Sequence, residues 1–315
     1  MAEPRCDLRA LVLNFRGAEM TAQVVRDLVA MDDVCVSVAV LDNGSGEAEQ
    51  AALAAQLDAL DVGPHEVQLV ASSRNLGFAA AMTGGLRDAV VAGYEHVLVC
   101  NNDLRLPRGS VRPLLEVLRN DRAVAAVGPT ILDADGAVWA EGGELGFTSN
   151  ALRLRRHGRA PTSTSSGPEE VDFLTGACVL LRADAALACG GFPDDYFMYW
   201  EDVALSYALR RAGHGVVWVP WVRVRHLGGQ SSGGGRSPLR KFLMACNAVR
   251  FLRAHGSARA WFGWLTFDVL LWPASLLAGP AAALAKLRGT WRGLLGHRPS
   301  EQDVARYLGE PGPPA

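Results

Sequence analysis

Four apolar runs in the first hundred residues do most to limit the folds open to this chain. They are 8–15 (LRALVLNF), 34–41 (VCVSVAVL), 67–71 (VQLVA) and 97–100 (VLVC). Each is too short for a helix, and each is almost continuously apolar, as a strand covered on both faces must be. Between them lie stretches with helical spacing. In 18–31, Val24, Val25, Leu28 and Val29 share one face; 47–60 is alanine-rich, and 79–92 follows the third run. Strand, helix and strand in alternation predict a parallel sheet with helices on both faces, a nucleotide-binding half.

In such a sheet, ligands sit outside the carboxyl ends of the strands. Here those ends are polar: Asp42-Asn43-Gly44-Ser45-Gly46 after the second run, Ser72-Ser73-Arg74-Asn75 after the third, and Asn101-Asn102-Asp103 after the fourth. Their recurrence predicts one shared crevice. Asp42 could take hydrogen bonds from a base or ribose, Arg74 could meet a phosphate, and Asp103 could hold a hard divalent cation, magnesium or manganese, through oxygen. Each could equally be a solvated turn. No G-x-G-x-x-G follows the first run and no G-x-x-x-x-G-K-[ST] occurs, which argues against nicotinamide, flavin and P-loop chemistry.

Further along, a helix is expected over 110–118 and a strand over 124–127, ending at Gly128-Pro129. Residues 161–168 (PTSTSSGP) read as a surface loop, and 171–181 as a strand containing a Thr175-Gly176 step. The richest stretch is 194–226. The aromatics Tyr196, Phe197, Tyr199 and Trp200 suit sugar rings, which present both C–H faces and hydroxyls. Glu201 and Asp202 then precede an apolar helical repeat that stops at Gly213. At a helix N-terminus the dipole favours ionised carboxylates, as a general base requires, although a plain cap reads the same way. Strands over 215–218 and 222–226 follow, the second carrying His226 into a glycine-rich loop.

The ordered set LDNGS (41–45), RNLGFAAA (74–81), NND (101–103), TGACVLLR (175–182), GGFPDDYFMYWEDVAL (190–205) and VPWVRVRH (219–226) resembles the inverting glycosyltransferase family 2, specifically its bacterial rhamnosyltransferase-like members. The resemblance covers residues 11–232. It implies a GT-A fold: an α/β Rossmann-like half with a mostly parallel mixed sheet, plus a C-terminal helical tail. The division expected is a catalytic domain over 1–235 (donor half 1–104, acceptor half 105–235) and a helical region over 236–315.

Carried over residue by residue, the resemblance implies that Asn14, Asp42, Arg74, Asn75, Gly77 and Asn102 bind the nucleotide sugar. Asp103 and His226 would hold Mn2+ or Mg2+, and Thr175, Gly176 and Trp200 would face the acceptor. Asp202 would be the base, with Glu201 beside it positioning acceptor or base. The implied donor is a nucleotide diphosphate sugar, with rhamnose favoured by likeness alone; the acceptor is a saccharide, lipid-linked or natural-product hydroxyl. The sequence departs from the family pattern at Asn101, where a full D-x-D has its first acid, at Met82-Thr83, and at Ala204. A sugar nucleotidyltransferase and a non-catalytic carbohydrate-binding protein are the competing readings.

Two features bear on location. The six cysteines are scattered without a C-x-x-C pair, and several lie inside apolar runs, so reduced thiols and a cytoplasmic location are expected; no export signal opens the chain. Residues 236–298 carry ten Lys/Arg against one acid, Asp268, around the apolar stretch 261–285, which is broken by Asp268, Pro273 and Pro280. Peripheral contact with the inner face of a membrane, packing on the catalytic domain or a dimer mate, and a membrane span are the three readings of that tail. The net charge of −2 gives no reason to expect nucleic acid.

Overall fold

A computed structural model describes residues 6–146, 152–162, 167–228, 237–270 and 272–308. The first half alternates as β1 (Leu8–Asn14), α1 (Ala18–Val29), β2 (Val36–Asn43), α2 (Glu47–Asp58), β3 (Glu66–Ser72), α3 (Gly77–Val91) and β4 (His96–Asn101). The second half runs β5 (Leu104–Arg105), α4 (Arg112–Asn120), β6 (Val124–Leu132), β7 (Val138–Ala140), β8 (Gly143–Leu145), β9 (Leu152–Leu154), β10 (Glu169–Glu170), β11 (Cys178–Arg182), α5 (Ala183–Ala188), α6 (Glu201–Arg211) and β12 (Gly215–His226). Helices α7 (Pro238–His255), α8 (Ala258–Trp264), α9 (Pro280–Leu294) and α10 (Glu301–Leu308) complete the described chain.

The main sheet has the order β10-β12-β6-β11-β4-β1-β2-β3, with β5 added to β12 and β7 to β6. β4, β1, β2 and β3 are mutually parallel, while β11 lies antiparallel between β4 and β6. This is the mixed, mostly parallel sheet of the expected α/β class. Successive residues point to opposite faces, and both faces are apolar. Leu8, Ala10 and Val12 meet Val24, Val25 and Leu28 of α1 on one side; Leu11 meets Met82 and Leu86 of α3 on the other.

Several boundaries differ from the sequence expectation. Asp42 and Asn43 belong to β2, paired with Ala71 and Ser72 of β3, so the turn begins only at Gly44. β6 continues through Gly128-Pro129, because β11 pairs with it only at Val127 and Ala126 and asks no N–H of Pro129. β12 is one strand rather than two, passing Pro220 at a register shift between Val219 and Arg223. Residues 171–177 precede β11 as irregular chain instead of forming its first half. Of the loop expected over 161–168, residues 163–166 lie outside the described residues.

The expectation of reduced thiols is corrected at one pair: Cys6 and Cys35 form a disulfide, with Cα atoms 4.6 Å apart. β1 and β2 start in register, Leu8 opposite Val36, so the residues just ahead of them lie side by side. Cys100, Cys178, Cys189 and Cys246 are free.

Candidate active site

β4 ends at Asn101, and the chain immediately re-enters the sheet as β5, which pairs with the tail of β12 so that Leu104 faces His226. The Leu227 N–H donates to the Asp103 carbonyl at 2.8 Å and closes this corner. Two residues 123 positions apart are thereby juxtaposed: His226 Nε2 stands 3.1 Å from Asp103 Oδ1. Both side chains are buried, and the Trp139 ring lies over the imidazole at 4.8 Å between centroids. Beyond that 3.1 Å contact Asp103 Oδ1 has no further partner, and His226 Nδ1 has none, among the described residues. A buried carboxylate oxygen and imidazole left this way suit a divalent cation that takes its other ligands from phosphate oxygens and water. Among the described residues no cluster of three or more His, Cys, Asp or Glu side chains could hold a metal alone.

The base that the resemblance implies lies on the same rim. Asp202 Oδ2 accepts the Gly176 N–H at 3.0 Å and Oδ1 accepts the Val203 N–H at 2.8 Å. Gly176 neighbours Ala177, whose carbonyl accepts the Asn101 N–H at 2.9 Å, and Cys178 pairs with Cys100 at the end of β4. The antiparallel entry of β11 thus brings the Asp202 carboxylate to the strand end that carries Asp103. Gly176 must be small here, since a Cβ would stand 2.8 Å from the Phe78 ring.

Burial opposes the helix N-terminus at both acids. Burial raises the Asp202 pKa despite the N–H groups of Gly176 and Val203. For Glu201, burial and then the Asp202 charge push the carboxyl well above the ordinary range, and its Oε2 has no partner. Removal from water outweighs the dipole because neither acid has a cation beside it. Asp202 remains partly open, whereas Glu201 is buried.

The donor-side residues form a hydrogen-bonded frame. Asn14 Nδ2 donates to Asp42 Oδ1 at 2.7 Å, and its Oδ1 accepts from Thr21 Oγ1 at 2.8 Å and from the Gly17 N–H at 3.2 Å. Asn102 Nδ2 donates to Thr21 Oγ1 at 3.1 Å, and Gln50 Nε2 donates to Asp42 Oδ2 at 2.8 Å. Asn14 and Asp42 are 0% and 1% exposed, and their side chains are turned inward. They brace the rim from within, because both amide groups of Asn14 and both oxygens of Asp42 are already engaged. Asn75 Oδ1 accepts from Asn43 Nδ2 and from the Gly77 N–H, each at 2.9 Å, shaping the loop that presents Arg74 to solvent. Gly77 sits at φ +81°, where a Cβ would meet the Phe197 carbonyl at 2.6 Å. Thr175 is buried with Oγ1 unpartnered. Trp200, expected at the acceptor, has its ring buried against Phe251, 5.2 Å between centroids.

A family model described as "Glycosyltransferase like family 2" matches residues 4–238. The chain belongs to this family. An N-acetylglucosaminyl-diphospho-decaprenol L-rhamnosyltransferase of Mycobacterium tuberculosis is 30% identical over 220 residues, which are 63% of this chain and 68% of that protein. The low-salt glycan biosynthesis hexosyltransferase Agl10 of Haloferax volcanii is 22% identical over 208 residues, 65% of this chain and 62% of its own. Among solved structures, GalNAc-T7 with UDP, GalNAc and Mn2+ superposes with a TM-score of 0.62 at 15% identity, covering 98% of this chain and 59% of that one. The mannosyltransferase PcManGT of Pyrobaculum calidifontis, in complex with GDP-Man and Mn2+, gives 0.58 at 17% identity, covering 98% and 81%. The fold is GT-A, and the family 2 chain is a glycosyltransferase.

Two residues of this family 2 site escape sequence reasoning. Phe197, Tyr199 and Trp200 all adopt positive φ (62°, 68° and 78°), a strained path for bulky residues. Asn247 of α7, fully buried, holds that path: its Nδ2 lies 2.9, 3.0 and 2.8 Å from the carbonyls of Tyr196, Met198 and Tyr199. Arg250, one turn on, pairs with Asp195. The available signal was a polar residue on an apolar helical stripe, four positions after Leu243 and four before Phe251. Glu301 of α10 is the second, accepting the Asn75 N–H at 2.9 Å across 226 positions; nothing local in the sequence marks it.

Proposed function

We propose that this glycosyltransferase moves a sugar, rhamnose by analogy with the M. tuberculosis relative, from a nucleotide diphosphate donor to a hydroxyl of a lipid-linked N-acetylglucosaminyl diphosphate, with inversion. The observation that supports the reading is the 3.1 Å contact of His226 with Asp103 just past the end of β4, next to the start of β11, where the Gly176 N–H holds the Asp202 carboxylate. Asp103 and His226 would hold a divalent cation, which when bound supplies charge to neutralise the departing diphosphate.

Asp202 then takes the acceptor proton. Each of its oxygens accepts one backbone N–H and retains a lone pair for the hydroxyl. Its raised pKa brings it closer to neutral pH and makes it a stronger base than an ordinary aspartate. The Gly176 and Val203 N–H groups fix its direction, so the activated oxygen enters opposite the leaving diphosphate. A single in-line displacement through an oxocarbenium-like state inverts the anomeric carbon. Glu201, next in the chain and buried, has its carboxyl pushed well above the ordinary range by burial and by the Asp202 charge, and would position the base or the acceptor.

The test incubates the full chain with dTDP-, UDP- and GDP-sugars and a GlcNAc-diphospho-lipid, with and without Mn2+, and follows nucleotide release and product anomer. The reading expects nucleoside diphosphate, dependence on a divalent cation, and inverted product. Pyrophosphate release or retained configuration would overturn it.

A further inference from the structure

Helix α9 is built with its large residues on the outside. The residues it buries are small: Ala282, Ala283, Ala285, Gly289 and Gly293. A Cβ on Gly289 would stand 2.2 Å from the Phe242 carbonyl and one on Gly293 2.6 Å from that of Cys246, so α9 lies backbone to backbone on α7. Outward, at helical spacing, it presents Leu284, Leu287, Trp291 and Leu295, with Trp291 63% exposed. The segment leading into it continues the surface, and Leu277 is 87% exposed. Twelve of the sixteen exposed large apolar residues among the described residues lie between 262 and 308. A face of that kind is not what a helix covered by water carries.

The same face is cationic. Arg288 and Arg292 alternate with Leu287 and Trp291, and together with Arg306 of α10 they line a cleft of about 470 Å3 walled by Trp291 and Tyr307. None of these three guanidinium groups is in an ion pair among the described residues. The one acid in the cleft, Asp303, is already engaged by His297 Nε2 at 2.8 Å and the Ser300 N–H at 3.0 Å.

We propose that the α9–α10 face is a monotopic docking surface for a bilayer carrying anionic phospholipids. Leu284, Leu287, Trp291 and Leu295 enter the acyl boundary, and the three-arginine cleft receives headgroup phosphate. A second copy is the poorer occupant, since pairing the face with itself sets arginines against arginines. The chain lies on the bilayer, as no helix among the described residues is long and apolar enough to cross one. The proposal deepens the lipid-linked acceptor reading and rests on it for its purpose. Because α9 lies on α7, and Asn247 of α7 holds the loop before Asp202, the docked surface and the base share one rigid support.

Vesicle flotation of the full chain tests this without any sugar transfer. Vesicles of phosphatidylcholine alone are compared with phosphatidylcholine mixed with phosphatidylglycerol, for the wild type, for Leu287→Glu/Trp291→Glu, and for Arg288→Gln/Arg292→Gln/Arg306→Gln. All these positions are outside the catalytic machinery, and an unchanged nucleotide-induced shift in Tm checks the fold of each variant. The wild type should float with the anionic vesicles and be released by salt. The arginine triple variant should lose on the order of 100-fold in partitioning, and the Leu287/Trp291 variant should lose binding altogether. Equal partitioning to both vesicle types, or no flotation, would overturn the proposal. So would a solution dimer that Leu287→Glu/Trp291→Glu converts to monomer, since a second copy would then own the face. A chain that binds vesicles normally but transfers nothing would count against the proposed function alone.

Discussion

The donor side and the catalytic side of this rim are held by opposite means. On the donor side, Asn14, Thr21, Asp42 and Asn102 satisfy one another in a buried network, and Asn43 and Asn75 form a second, part-buried pair. On the catalytic side, His226 Nδ1, Thr175 Oγ1 and Glu201 Oε2 are buried and unpartnered, Asp103 Oδ1 has only His226 beside it, and three aromatic residues sit at positive φ. A satisfied network is rigid and can serve as a template for a ligand. Unsatisfied groups cost stability and persist where a ligand or a reaction uses them. The comparison assigns recognition geometry to the first side and chemistry to the second.

Three substitutions sharpen that contrast. The largest effect belongs to Asp202→Asn, which should lower kcat by about 10³-fold or more while leaving nucleotide diphosphate affinity at the wild-type value; near-normal turnover would place the base elsewhere. Next comes Asn247→Ala, which removes the clamp from the Tyr196, Met198 and Tyr199 carbonyls. It should cost roughly 1–3 kcal/mol in denaturant unfolding and about 10–100-fold in kcat, with nucleotide affinity retained; a variant that loses nucleotide binding in step with kcat would show Asn247 to be merely structural. The smallest effect is Glu201→Gln.

A carboxyl whose folded pKa is raised binds its proton more tightly in the native state. Glu201 therefore contributes stability that is lost as pH rises from the ordinary carboxylate range through the raised value. Glu201→Gln should flatten that decline in a pH series of urea midpoints, and an unchanged slope would contradict the burial reading. The acid limb of the rate profile should likewise lie above the ordinary aspartate range, because Asp202 must be ionised to act.

Much of the fold was legible because strands buried on both faces must be continuously apolar, so β1, β2 and β4 stand out. By contrast β3, an edge strand with no buried residue, shows mainly by its place in the alternation. β6 and β12 were cut short because a proline reads as a stop, and only the neighbouring strands reveal that β11 leaves Pro129 unpaired on its side and that β12 passes Pro220 at a register shift. Within the site, strand-end placement was legible for Asp103 and His226, since it follows from short runs ending in polar residues. The inward turn of Asn14 and Asp42 was not, because a polar residue at a strand end looks the same whether it faces a ligand or Thr21 and Gln50. The burial of the Trp200 ring was not legible for a related reason: its partner Phe251 is on a helix fifty residues away. The upward pull on the Asp202 and Glu201 pKa values was not legible, because the dipole is local and visible in sequence, whereas burial is not.

The account depends on Asp103 and His226 acting as one cation site that serves the diphosphate. The most direct measurement is a Mn2+ titration of nucleotide diphosphate binding by calorimetry, run on the wild type, His226→Ala and Asp202→Asn. The account predicts that His226→Ala shifts half-saturation to about 10–100-fold higher Mn2+, while Asp202→Asn titrates like the wild type. Superimposable curves for the wild type and His226→Ala would contradict it.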